Sequence, residues 1–286
     1  MSTTALTVLT DAAYRLGENG NPDDANEQNR RLSYLKTAQN EIIRKRFWWF
    51  LTKEYSFPLV NTQDIYPLPS DYRDSIELRV NGEKVDFKPE YVINDTWDRP
   101  RDTYLSSLNY GYYISGDDLI LIPQASESPT AYSVSGIVVS GTTATVTTAL
   151  AHGLEVDDYV TIAGADVAVF NTTHQILTIP STVTYTIAIA SGTLDPTGTI
   201  TSTHNNAVLK YYYNPANITA LTDNVVIPDL YTDALAAYVF ARVAQIDSER
   251  GDASDGFEEY KQIVTDMIVE NNKRNSWGKA NNAETL

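Results

Sequence analysis

The sequence predicts an α+β protein: N- and C-terminal helices forming one helical bundle, a central antiparallel β-sheet or barrel, and a separate inserted all-β domain. Three observations carry that expectation. Apolar residues recur at three-to-four spacing at both ends of the chain, as in Leu6, Leu9, Ala13 and Leu16, and in Phe257, Ile263, Val264, Met267 and Ile268. Between these ends, residues 51–121 alternate apolar and polar in short runs separated by turn residues. Residues 134–204 then contain no Lys or Arg. They are built of Thr, Val, Ile, Ala and Gly in runs such as Thr142-Thr143-Ala144-Thr145-Val146-Thr147, which suit strands and no amphipathic helix.

Helices are expected over 3–17, 22–48, 229–247 and 254–272. Thr3 or Thr4 supplies an N-cap for the first, and Gly17 its stop. Asn21 before Pro22 reads as a cap and first-turn proline for the second, whose stripe is Ala25, Leu32, Leu35, Ile42 and Ile43. It ends at Arg44-Lys45-Arg46, cations placed where a helix C-terminus favours positive charge. Phe47-Trp48-Trp49-Phe50 begins an extended segment. Strands follow at 55–57, 65–69, 76–80 and 84–87, with Asn81-Gly82 as a hairpin turn whose residues both take positive φ. Tyr112-Tyr113-Ile114 turns at Ser115-Gly116-Asp117-Asp118 into Leu119–Pro123.

With the 134–204 block set aside, the run ending at Pro123 nearly rejoins Val208–Tyr213, and the two are expected as neighbours in one sheet. The block is then an insertion in a surface loop. Ile227-Pro228-Asp229 opens the third helix, on Leu230, Ala234, Leu235, Tyr238 and Val243, and Asp255 with Glu258 has capping-box spacing for the fourth. Helices without a local partner must bury their stripes on each other. The expected organisation is a discontinuous domain, 1–133 with 205–275, the inserted β-domain 134–204, and a flexible tail 276–286.

A net charge of -16 and a pI near 4.5 argue against a protein that grips DNA or RNA through clustered cations. An acidic wall repels the phosphate backbone, so a duplex could slide past without sticking. The chain has no cysteine, which excludes a disulfide scaffold and thiolate zinc sites and fits a reducing compartment. The N-terminus lacks a basic region followed by an apolar core, and no stretch approaches the roughly 18 apolar residues of a membrane span.

No catalytic, cofactor-binding or metal-binding residues are expected. His152, His174 and His204 all lie in the inserted block, but their spacing fits no helical ligand pair and His152-Gly153-Leu154 reads as a turn. Asp117-Asp118 and Asp157-Asp158 invite a calcium loop or hydrolytic acids; adjacent strand residues point to opposite faces, so turn chemistry explains them better. Phosphate-loop glycine patterns and a Gly-x-Ser-x-Gly elbow are missing. Arg46, Phe47, Trp48 and Trp49 are the candidates for packing between the helical and β halves or for a contact between subunits, where Trp, Tyr and Arg are enriched. A stacking platform for nucleic acid is the remaining reading of that run.

These residues resemble the head-to-tail adaptor proteins of tailed bacteriophages, which form the ring beneath the portal. The likeness lies in an order of motifs: the helical pair ending in Arg46-Phe47-Trp48-Trp49-Phe50, then Tyr66-Pro67-Leu68-Pro69-Ser70-Asp71-Tyr72, then the Asn81-Gly82 hairpin. It resumes with Leu209-Lys210-Tyr211-Tyr212-Tyr213-Asn214-Pro215 and Ile227-Pro228-Asp229-Leu230-Tyr231. It covers 1–133 and 205–275. Separately, Ala151–Gly164 resembles the small FCCH-like β-domain of phage structural proteins, similar to the first catalytic cysteine half-domain of ubiquitin-activating enzymes; without a cysteine it carries none of that chemistry.

The resemblance implies a non-enzymatic, structural virion protein at the head-tail junction, assembled in the host bacterial cytoplasm without a membrane. By family it forms a ring of twelve copies that docks under the portal ring and extends the DNA channel. Double-stranded DNA passes through without specific binding, and a downstream tail, nozzle or fibre protein attaches. Lys273, Arg274 and Trp277 are then the portal-docking candidates. The competing reading is a fibre-attachment or adhesin-like tail protein that binds through the inserted β-domain. A glycan hydrolase using Asp117 or Asp157 has only abundant carboxylates behind it.

Overall fold

The structure is a computed structural model and describes residues 3–22, 24–88, 111–122, 125, 130–246 and 252–280, with backbone alone for 275–280. It is mixed α and β, in two compact units: 1–52 with 212–286, and 53–211.

Among the described residues the first unit holds four α-helices. Helix α1 (Ala5–Arg15) is capped by Thr4, whose hydroxyl accepts the Thr7 amide at 3.3 Å, and the chain leaves it through Gly17 at φ +75°. Helix α2 (Ala25–Lys45) is capped by Asp24, not by the expected Asn21. The Asp24 carboxylate accepts the Asn26 amide at 3.2 Å, and an anion at this end also complements the helix dipole. Helix α3 (Thr232–Ala244) follows a 3-10 turn at Asp229–Tyr231. Helix α4 (Ala253–Ala280) starts ahead of the expected capping box, because Asp252 already accepts the Ser254 amide at 2.8 Å. Its backbone continues through 276–280, within the segment expected as a tail; residues 281–286 lie outside the described residues. Once a helix is nucleated, each further residue adds a hydrogen bond at little entropic cost.

Helix α3 is central, rich in alanine, and packs on α1, α2 and α4. Gly256 lets α4 approach it: a Cβ there would stand 2.7 Å from the Phe240 ring and 2.9 Å from the Ala237 carbonyl oxygen. Trp48 is fully buried in this core with Leu35, Ile42, Leu51 and Leu235, and its indole N–H donates to the Ile42 carbonyl at 2.8 Å.

The second unit contains two β structures. Strands β1 (Thr52–Phe57), β2 (Ile65–Pro67), β3 (Tyr72–Val80), β4 (Glu83–Phe87), β5 (Gly111–Ser115), β6 (Asp118–Ile122) and β13 (Ala207–Tyr213) form a seven-stranded sheet in the order β1-β13-β3-β4-β5-β6-β2. The Asn81-Gly82 turn joins β3 to β4 with φ of 51° and 79°, the positive values a two-residue hairpin requires. The sheet departs from expectation twice. Strands β4 and β5 pair in parallel, Asp86 opposite Gly111, so the sheet is mixed. Strand β13 lies between β1 and β3, not beside β6, because Asn206 ties its start to both neighbours. The Asn206 carbonyl accepts the Asn81 amide at 2.8 Å and its side chain the Leu59 amide at 2.9 Å.

Strands β7 (Ala131–Ser140), β8 (Thr143–Thr148), β9 (Tyr159–Ala163), β10 (Thr173–Ser181), β11 (Thr184–Ala188) and β12 (Thr201–Asn205) close into a barrel in the order β10-β11-β8-β7-β12-β9. Alternation builds its interior: on β8, Ala144 and Val146 are buried and Thr143, Thr145 and Thr147 are not. Ile137, Val160, Ile162, Phe170, Ile176, Tyr185 and Ile187 complete a core separate from that of the helices. Closure removes sheet edges that would otherwise pair with other chains.

Candidate functional site

The sequence singled out two groups of residues, one after α2 and one near the end of α4. Arg46 caps α2 in an extended conformation (φ -157°, ψ 169°), so the helix stops and the next side chains part company. Trp48 enters the core, Trp49 and Phe50 are half-buried, and Phe47 remains 42% exposed with its ring 5.0 Å from that of Tyr212. Trp49 packs edge-on against Phe50 at 5.1 Å and Tyr231 at 6.3 Å.

Helix α4 brings the second group onto the first. The Arg274 guanidinium lies 4.8 Å above the Trp49 ring, within cation-π range, and its Nε donates to Glu270 at 2.8 Å. Lys45 stands 5.5 Å above the Tyr260 ring and pairs with Glu41 at 3.2 Å. Burial, reinforced by the Glu41 carboxylate, holds the Tyr260 hydroxyl well above its usual range, so it stays protonated. Lys273 and Arg46 are exposed. Trp277 lies on the backbone of α4, and its side chain is outside the described residues.

Asn271 is the residue that sequence reasoning missed. It is 2% exposed; its side-chain oxygen accepts the Trp49 amide at 3.2 Å and its NH2 donates to the Phe47 carbonyl at 3.1 Å. One side chain thus pairs with a backbone N–H and a backbone C=O of the segment that follows α2. The signal was its spacing: Tyr260, Val264, Met267 and Asn271 follow one helical stripe, and a polar residue in a buried stripe needs a partner.

The other candidates stay apart. His152 is buried, accepts the Leu154 amide at its Nδ1 (3.0 Å) and meets Tyr185 edge-on at 5.5 Å. His174 faces the Phe170 carbonyl at 3.1 Å, and His204 lies 3.6 Å from Asp158. Asp158 also accepts the Glu155 amide at 2.8 Å, and Asp117 and Asp118 sit at the β5–β6 turn. Among the described residues no group of three or more His, Cys, Asp or Glu side chains could hold a metal ion, and no helix is long and apolar enough to cross a membrane. A cleft lined by Thr37, Asn40, Glu41, Arg44 and Lys45 is a groove along α2 alone.

A family model described as SU10 adaptor protein matches residues 3–283, nearly the whole chain. The chain belongs to that family. It is accordingly a structural adaptor protein of a bacteriophage and a component of the virion. No curated protein matches the chain.

Proposed function

We propose that this adaptor forms the ring at the head-to-tail junction, docking under the portal, extending the DNA channel and presenting the surface to which the tail attaches. The family match over 3–283 carries the reading. Twelve copies is the stoichiometry the resemblance suggests. Residues 1–133 and 205–275 act as the ring-forming domain and 134–204 as an inserted module. A net charge of -16 supports a channel that duplex DNA traverses without binding.

The end of α4 docks on the portal through Lys273, Arg274 and Trp277. Arg274 is already oriented by Trp49 and Glu270, which lowers the entropy lost when it is captured. The barrel, by contrast, is poorly suited to carbohydrate stacking. Its large aromatic rings Phe170 and Tyr185 are buried, and the Tyr159 hydroxyl is bonded to Glu54 at 3.0 Å. That weighs against an adhesin-like reading.

Mixing the purified chain with portal rings from the same particle tests the docking. Truncation after Asn272 removes Lys273, Arg274 and Trp277 and keeps the buried Asn271. The truncated chain should stay folded and lose portal binding; full binding would contradict docking through α4.

A further inference from the structure

Two surfaces of the helical unit carry exposed apolar side chains with charge of opposite sign. On α1, Leu6 and Tyr14 share the outward face at 45% and 61% exposure, and Leu230 stands 79% exposed beside the Asp229 that holds Thr3. The charge around this face is negative. Asp11, Asp233 and Glu259 all turn to Arg15, at 3.1, 3.8 and 2.8 Å, three carboxylates to one guanidinium. At the end of α2 the signs reverse. Phe47 projects next to Arg44, Lys45 and Arg46, all exposed, and among the described residues the carboxylate paired with them is Glu41, on Lys45. This cationic end belongs to a chain of net charge -16.

We infer that these surfaces are the two halves of one contact between successive copies of the chain, the apolar, anionic face of α1 receiving the aromatic, cationic end of α2 from the next copy. Each half has the composition of an interface, an apolar centre with a charged rim. Pairing either surface with itself would set like charges together, which disfavours a dimer built on one of them alone. Complementary surfaces on different helices make a heterologous contact, the kind that propagates and closes into a ring. The positions of the two halves explain why Phe47 and Tyr14 remain exposed in a unit that buries Trp48 completely. This inference rests on the adaptor-ring reading and names the partner of its subunit contact.

The absence of cysteine from the chain makes a direct test possible. Full-length Tyr14→Cys and Phe47→Cys variants are purified separately, mixed, concentrated and treated with a short bis-maleimide. Leu150→Cys, on an exposed barrel position, is the control. The mixed Tyr14–Phe47 product should exceed either homodimer and every control product about tenfold, the ratio for roughly 1.4 kcal/mol of preference. Homodimers or control products in equal yield would overturn the inference. Adding Arg44→Glu and Arg46→Glu to the Phe47→Cys chain should abolish that excess, and Asp11→Lys with Asp233→Lys on the partner should restore it. An excess indifferent to these reversals also overturns it. Portal binding, measured separately on the unmodified chain, keeps the two readings distinct. Lost portal binding with an intact cross-link strikes the adaptor reading, and portal binding without the cross-link strikes this one.

Discussion

Asn271 holds the backbone of Trp49: its side-chain oxygen accepts the Trp49 amide at 3.2 Å while its NH2 reaches the Phe47 carbonyl. The aromatic segment after α2 is therefore positioned by a residue 222 positions later in the chain.

Asn271→Leu removes the hydrogen bonds to the Trp49 amide and the Phe47 carbonyl, each contributing about 0.5–1.5 kcal/mol. The variant should unfold at lower urea concentration, and its tryptophan emission should shift to the red as Trp49 loosens. Unchanged stability and emission would mean that the clamp contributes nothing.

Arg31 makes a second prediction. Its guanidinium is fully buried, bidentate to Glu18 at 2.8 Å and bonded through Nε to Glu27 at 2.9 Å, so it pins the turn after α1 to α2. Arg31→Ala should cost about 1.5–3 kcal/mol, measured by urea denaturation, because it removes three charge-assisted hydrogen bonds from a fully buried guanidinium. Burial by itself would raise the Glu27 pKa, but the bonds from Arg31 and Arg30 hold it below the usual carboxylate range. Its folded value being depressed, Glu27 adds stability above the unfolded value near 4.3. That stability is lost as pH falls through the folded value, and Arg31→Ala should flatten this acid limb.

The barrel should respond to pH through His174. Burial lowers its pKa, against the opposing pull of the Phe170 carbonyl. An unfolded histidine binds its proton near pH 6.5, about the point below which the folded residue still refuses it. Stability is therefore full above that pH and declines as pH falls from about 6.5 towards the folded value. His174→Gln should remove this decline in barrel unfolding followed between about pH 7.5 and about pH 5.5. An identical slope in both proteins would contradict the assignment.

Trp48 tests the helical core. It is fully buried, so Trp48→Ala should cost about 3–5 kcal/mol, whereas Phe47→Ala on the exposed flank should stay within about 1 kcal/mol. Equal losses in thermal melts would show that the two neighbours do not differ as described.

Local chemistry made much of this architecture legible. The three-to-four stripes of α1 to α4, the Asn81-Gly82 turn and the alternating Thr-rich runs of the barrel each state their own periodicity within a few residues. Pairings between distant segments were not legible. The parallel β4–β5 contact and the seat of β13 between β1 and β3 depend on Gly111 and Asn206 meeting partners that no local pattern names. The same limit applied at the candidate site. Arg46–Trp49 and Lys273–Trp277 stood out separately, and only folding places Arg274 on Trp49 with Asn271 beneath.

As the proposed ring component, the chain must bind the portal. Native mass spectrometry of the purified chain, alone and with portal rings from the same particle, tests it most directly. The expected result is a 31.8 kDa chain that joins the portal in a fixed stoichiometry matching a closed ring. A folded chain that forms no complex with the portal under any of these conditions would contradict it.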